Sequence, residues 1–317
     1  MGADHVLTLS SSVPTARVSR VFDMDADRAA DVAGTAGGST SSSAESLITS
    51  DDVDAVIIAS PDFTHADLAL ACIAAGKHVL CEKPLAVTAE DAWRIVEAEV
   101  TAGQQLVQVG FMRRYDPGFV ELKHTIDSGA IGDVRVVHNV HRNASSHTSA
   151  TSTGIVTGSM IHELDTIGWL LDDTVASIRI ESPVLEGLKD PQLATIWMSR
   201  GTMVTAEVFV NAGYGYDVRC EVVGTAGTAS LGPTSRISTR VAGIEGVAIR
   251  DDFVAHFADA YRIELASWAL QALNGTQSGP TAWDGFVANL IAEAGVASLS
   301  SGDRETVSLP DRPSLYP

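Results

Sequence analysis

The stretch His78-Val79-Leu80-Cys81-Glu82-Lys83-Pro84-Leu85 constrains the fold more than any other part of the chain. Its short apolar run reads as a buried strand of a parallel sheet, closed by a charged pair and a proline. Pro84 has no N–H and cannot extend a hydrogen-bond ladder, so the chain must leave the sheet there. A lysine at the carboxyl end of such a strand faces the crevice in which open α/β sheets bind ligands. The plain alternative is a surface lysine paired with Glu82. The strand before Lys83 and the proline after it favour a functional lysine.

The flanking sequence repeats the pattern. Ala16–Phe22 reads as a strand, Ala26–Ala33 as a polar helix and Gly37–Ser43 as a loop. Val53–Ala59 is almost continuously apolar, as a strand covered on both faces should be. Ala66–Ala75 is a helix closed by Gly76, and Thr88-x-x-Asp91 resembles a capping box opening the helix Ala89–Thr101, which Gly103 closes. Leu106–Val109 follows as a strand. This alternation predicts a parallel sheet with right-handed crossovers over residues 1–110. From 111 to 317 the order changes to successive strands, at Val134–Val140, Ser177–Ile180, Leu193–Met198, Val204–Val210 and Val218–Val223. They predict an α+β domain on a large, mostly antiparallel open sheet. Helices are expected near Phe119–Ile126, Ile161–Leu171, Phe253–Leu273 and Trp283–Ala297, and a Ser/Thr-rich loop at Ser145–Thr153.

Composition narrows the partners. A net charge of −19, without a basic run, disfavours nucleic acid and anionic membranes. Three scattered cysteines, Cys72, Cys81 and Cys220, with no CxxC, argue for a reducing cytoplasm and against a disulfide frame or cysteine zinc site. No apolar run is long enough to span a bilayer.

Val21-Phe22-Asp23 places an acid at a strand end, where dinucleotide-binding folds receive ribose hydroxyls. A carboxylate there favours NAD over NADP. Such folds open with a strand and G-x-G-x-x-G; here Gly2 stands where the third glycine would, and the first strand is missing. The missing strand would leave two central strands with unpaired groups, at about 1–3 kcal/mol for each buried one. The expectation is that Met1 is an internal methionine within the fingerprint of a longer natural protein; a true truncation is the rival.

Several segments together carry a resemblance: Cys81-Glu82-Lys83-Pro84, Gly110-Phe111-Met112-Arg113-Arg114-Tyr115-Asp116, His141-Arg142-Asn143, Ile161-His162-Glu163-Leu164-Asp165, Leu188-Lys189-Asp190-Pro191-Gln192, Asn211–Asp217 and Gly279–Gly285. The chain resembles the glucose–fructose oxidoreductase / inositol dehydrogenase family from Gly2 onward, most closely its myo-inositol 2-dehydrogenase branch. The resemblance implies Lys83 and His162 as catalytic residues. It implies Met112, Arg113, His141, Asn143, Ser159 and Tyr216 along a polyol pocket, and Gly2, Asp23, Ser60, His65, Glu82 and Trp283 around NAD. It also implies a homotetramer joined through second-domain sheets. One departure stands out: the family's aspartate four residues before the histidine is Gly158 here, and Asp165 does not replace it.

The chemistry fits the residue types. Oxidising a secondary alcohol needs a base for the hydroxyl proton, and histidine titrates near working pH. A lysine cation stabilises the developing alkoxide. A polyol needs many donors and acceptors, which Arg, His and Asn supply. A lone helical histidine is more often structural, Arg113 could be a surface cation, and Tyr214 and Tyr216 could pack against a neighbouring strand. His162 is expected to emerge off the apolar face Ile161, Leu164, Ile167 and Leu171, and Gly158 to start that helix behind a Thr157 cap. The spacing of His162-Glu163-Leu164-Asp165 is not H-E-x-x-H, so no metal site is expected. Three functions compete: an NAD-dependent myo-inositol dehydrogenase, a dehydrogenase of another sugar or inositol isomer, and a binding homologue impaired by Gly158.

Overall fold

The computed structural model describes residues 1–232 and 237–316, which divide into two compact units. The first holds residues 1–112, 259–289 and 310–317; the second holds 113–258 and 290–309.

In the first unit, strands and helices alternate as α1 (Gly2–Ser12), β1 (Arg20–Val21), α2 (Ala26–Ala36), β2 (Ser39–Thr40), α3 (Ala44–Ile48), β3 (Ala55–Ile58), α4 (His65–Ala74), β4 (His78–Cys81), α5 (Ala89–Ala102) and β5 (Val107–Val109). All ladders are parallel: β1 pairs with β2, and β3, β4 and β5 form a second sheet in that order. No ladder joins the two pieces among the described residues. Central β4 is buried along its whole length, which explains its unbroken apolar run. Helix caps follow the residues that promote them. Thr88 accepts from the Asp91 N–H, and Gly103 ends α5 in the left-handed conformation.

Two local readings change. The expected strand Ala16–Phe22 contracts to β1, and the expected loop Gly37–Ser43 contains β2. Gly38 brings the two together: a Cβ there would lie 2.8 Å from the Val18 carbonyl oxygen, so the close approach requires glycine.

The second unit is built on a seven-stranded sheet ordered β11-β10-β6-β9-β8-β7-β14. Its strands are β6 (Val134–Arg142), β7 (Val175–Glu181), β8 (Gln192–Met198), β9 (Met203–Phe209), β10 (Asp217–Gly224), β11 (Thr228–Ser230) and β14 (Glu305–Thr306). Only the β6–β9 pairing is parallel. Burial alternates along β8 and β9, so one face of the sheet packs inward. A separate exposed hairpin, β12 (Ser238–Val241) and β13 (Ile244–Val247), turns through Ala242 and Gly243, both at positive φ.

The helices of this unit are α6 (Pro117–Asp127), α7 (Ser152–Gly154), α8 (Ile161–Leu171) and α9 (Phe253–His256). Residues Ile155–Met160 are π-helical and run continuously from α7 into α8. This corrects the expected helix start. Thr151 is the N-cap, accepting from the Gly154 N–H, while Thr157 donates to the Thr153 carbonyl in mid-helix. Gly158 therefore lies inside a helix, and a Cβ there would meet nothing within 4 Å.

The sequence reading assigned all of 111–317 to one domain. Instead, α10 (Ala258–Asn274), the start of α11 (Ala282–Ser301) and the tail from Pro310 belong mainly to the first unit. The reason is apolar burial. Leu265, Trp268 and Ala269 of α10 share a core with Leu9, Val13 and Leu80, against which Val18, Ala55 and Ile57 pack. Tyr316 donates to the buried Glu99 carboxylate at 2.6 Å.

Candidate active site

Within the first unit, the residues assigned to the cofactor follow the ends of parallel strands: Asp23 after β1, Ser60 after β3, and Glu82 and Lys83 after β4. Gly2 opens α1. Carboxyl ends of parallel strands with a helix N-terminus among them fit a dinucleotide, whose phosphates take helical N–H groups and whose ribose takes a carboxylate.

Side-chain partners refine this picture. Asp23 accepts two hydrogen bonds from Arg28, at 2.8 and 2.7 Å, which hold its carboxyl below the usual range. His65 is buried, with ring nitrogens 2.8 Å from the Pro84 carbonyl and 2.9 Å from the Ser60 carbonyl. It therefore ties together the backbone that follows β3 and β4. Ser60 shares its hydroxyl with Thr64. Trp283 lies 7% exposed in an aromatic cluster with Trp93, Phe286 and Tyr316. Met112 is fully buried.

Glu82 meets the His5 ring nitrogen at 2.7 Å. Burial pushes this carboxyl up, but the hydrogen bond from His5 and the nearby charges of His5 and Lys83 bring it below its ordinary value. Behind it sits Glu264, wholly buried, with both carboxyl oxygens lacking a hydrogen-bond partner. Burial, and then the Glu82 charge, push Glu264 well above the usual carboxylate range, which favours its protonated form.

The second unit gathers Arg113, His141, His162 and Tyr216. His162 is buried, its ring 6.3 Å from that of His141. The expectation that His162 emerges from a one-sided helix is corrected: every residue from Ile161 to Ile167 is buried. Charged residues can lie there because partners wait for them. Arg113, 2% exposed and flanked by the rings of Phe119 and Phe257, pairs with Glu163. His141 Nδ1 is 3.2 Å from the other Glu163 oxygen, and His141 Nε2 is 3.3 Å from the Tyr216 hydroxyl. Burial raises the Glu163 carboxyl, yet the Arg113 charge and the hydrogen bonds from His141 and Arg113 overcome it and bring it to about 2. Burial pushes the Tyr216 phenol up to about 12. Asp165 pairs with Arg114, which leaves it unable to stand in for the aspartate absent at Gly158.

A cavity of about 330 Å³ opens in the same unit, lined by Asn143, Ser145, Ser146, His147, Ser149 and Ser159 among others. Asn143 presents a buried side-chain oxygen without a partner, and hydroxyls surround it. Asn211 pins the loop by accepting from the Ser146 N–H, and is itself held by Asp190. Such a lining suits a small polyhydroxylated molecule. Ser145–Thr153 is thus partly a pocket-lining loop, its last residues entering α7.

The assigned residues fall into two groups. Lys83, Met112 and the cofactor residues are in the first unit; Arg113, His141, Asn143, Ser159, His162 and Tyr216 are in the second. Sequence reasoning missed Glu163, His5, Glu264 and His256, whose ring lies 5.2 Å from that of Tyr216. Glu163 carried one legible signal, an acid among apolar residues next to His162. Among the described residues, no group of three or more His, Cys, Asp or Glu is placed to hold a metal, and no helix is long and apolar enough to cross a membrane.

Residues 1–111 match the GFO/IDH/MocA oxidoreductase family, with its NAD-binding Rossmann fold, and residues 119–230 match the GFO/IDH/MocA C-terminal domain. Inositol 2-dehydrogenase 1 of Saccharopolyspora erythraea is 47% identical, over 100% of this chain and 96% of that protein. An inositol 2-dehydrogenase/D-chiro-inositol 3-dehydrogenase of Shouchella clausii is 39% identical, over 100% of this chain and 94% of that one. The crystal structure of myo-inositol dehydrogenase from Lactobacillus casei, in complex with NAD(H) and myo-inositol, superposes with a TM-score of 0.96 at 33% identity. It covers 100% of this chain and 96% of that one.

Proposed function

The chain belongs to the GFO/IDH/MocA oxidoreductases, and we propose that it is an NAD-dependent dehydrogenase oxidising myo-inositol, or a close cyclic polyol, to an inosose. The observation that carries this reading is likeness along the whole chain to a dehydrogenase holding NAD(H) and myo-inositol. NAD, when bound, accepts the hydride from the carbinol carbon. His162 takes the hydroxyl proton as general base, and the Lys83 ammonium orients that hydroxyl and stabilises the alkoxide. Asn143, Ser159, Tyr216, Arg113, His141 and Met112 are assigned to the polyol. Gly2, Asp23, Ser60, His65, Glu82 and Trp283 are assigned to the cofactor.

Formation of NADH across myo-, scyllo- and D-chiro-inositol and glucose, followed by absorbance, tests the proposal. The highest kcat/KM is expected with myo-inositol, and NADH formation with none of them would end the dehydrogenase reading. Activity on D-chiro-inositol is a specific second outcome, because a relative carries both activities in its name and the Ser145–Ser149 loop lines the cavity. Gly158 favours a slower enzyme. A Cβ at this position meets open space, and Gly158→Asp is expected to raise kcat about 10-fold or more.

The same reading includes a homotetramer in the cytoplasm. Support comes from Leu193 and Met203, exposed apolar residues on the outer face of the seven-stranded sheet, and from three buried cysteines without a disulfide.

A further inference from the structure

The hydrogen bonds around Glu163 close into a ring. Arg113 can only donate and the Glu163 carboxylate can only accept, so those two ends are fixed. Arg113 donates to one Glu163 oxygen, and its charge bears on the Tyr216 phenol. The second Glu163 oxygen has His141 Nδ1, at 3.2 Å, as its single donor among the described residues. Arg113 also lies 3.3 Å from that same Nδ1, so the nitrogen can either donate to Glu163 or accept from Arg113. If it accepted, a carboxylate oxygen in a residue 1% exposed would be left without a donor. If it donates, every bond in the ring is satisfied. His141 gives its Nδ1 proton to Glu163, and its bare Nε2 accepts the Tyr216 hydroxyl proton at 3.3 Å.

We propose that Glu163 is a positioning residue that fixes His141 as the Nδ1–H tautomer and thereby makes Tyr216 a hydrogen-bond acceptor toward the substrate. The Tyr216 proton is committed to His141, so its remaining lone pair can only receive a hydroxyl that donates. Arg113 and Glu163 hold this polarity with permanent charges. The functional half rests on the assignment of Tyr216 to the polyol; the tautomer does not. Glu163→Gln separates the two states of the ring. Its amide oxygen faces Arg113, so its NH₂ group must face His141 Nδ1 and donate, which inverts the ring.

Nitrogen-15 NMR of histidine-labelled protein, with His141 assigned by its loss in His141→Gln, reads the tautomer directly. The wild type is expected to show Nδ1–H and Glu163→Gln to show Nε2–H. The KM for myo-inositol should rise about tenfold, as for one lost charge-assisted hydrogen bond, with the KM for NAD unchanged. Glu163→Asp, which keeps the acceptor, should return both the tautomer and the KM toward wild type. An Nε2–H tautomer or a doubly protonated His141 ring in the wild type overturns the proposal, and so does a folded Glu163→Gln with an unchanged tautomer. If Glu163→Gln does not fold, the wild-type spectrum and Glu163→Asp still decide. The tautomer is read without turnover, so a protein that oxidises no polyol leaves the ring testable and removes only the dehydrogenase reading.

Discussion

Each residue assigned to the chemistry has a buried carboxylate as its chain neighbour: Glu82 precedes Lys83, and Glu163 follows His162. The two are stabilised differently. Glu163 meets a guanidinium that cannot lose its proton, and its own carboxyl is driven down to about 2. Glu82 meets the ring of His5, and a second carboxyl, Glu264, lies behind it in its protonated form. Polarity around Glu163 is therefore set by fixed charge, and polarity around Glu82 by where protons reside. A buried carboxylate survives with a permanent cation, and a buried carboxyl without one survives by staying neutral.

The largest effect expected from breaking this contrast follows removal of the cation. Arg113→Met strands Glu163 as an uncompensated buried charge and should cost about 3–5 kcal/mol, read as a lower urea midpoint at pH 7. The pH dependence has a definite sign. The folded Glu163 carboxyl lies below its unfolded value of about 4.5, so its contribution is complete above that pH and is lost as pH falls toward about 2. The gap between wild type and Arg113→Met should narrow over that window, whereas a gap constant with pH would show that Arg113 acts through packing alone.

A smaller effect of opposite sign is expected at Glu264. Its folded pKa is raised, so above the ordinary carboxylate range the folded state holds a proton that the unfolded chain has released. Stability from this group is complete below about pH 4.5 and erodes as pH rises. Glu264→Gln, neutral at every pH, should raise the melting temperature at pH 8, by on the order of 1 kcal/mol in stability. The gain should vanish near pH 4. A loss at pH 8 would mean that Glu264 is ionised and partnered. The smallest effect is expected where the cation is exposed and the carboxylate half-buried: Arg28→Ala frees Asp23 to solvent and should leave the urea midpoint unchanged within error.

These contrasts also show where the sequence stopped being informative. Helix α8 was legible as an element because its apolar positions recur at helical spacing, and α5 because Thr88 and Gly103 mark its ends. The π-helical turn before α8 left no such mark. Two helical segments fuse there, no N-terminus is exposed, and Thr157 was mistaken for a cap. The strand end before Lys83 was legible because Pro84 makes it visible in one dimension. Glu163 and His5 were not, because their meaning depends on partners far along the chain: Glu163 on Arg113, 50 residues away, and His5 on Glu82, 77 residues away. Residues 259–289 were misassigned for the same reason, since the apolar face of α10 does not announce which core it will join.

The most direct test of the account asks whether the Lys83 ammonium and the His162 imidazole act on one hydroxyl. Lys83→Met, His162→Gln and the double variant would be compared in kcat/KM for myo-inositol with saturating NAD. Each single change is expected to lower it by about 10²–10⁴, and the double variant to fall no further than the worse single. Losses that multiply would show two groups acting independently, and would contradict a shared catalytic site.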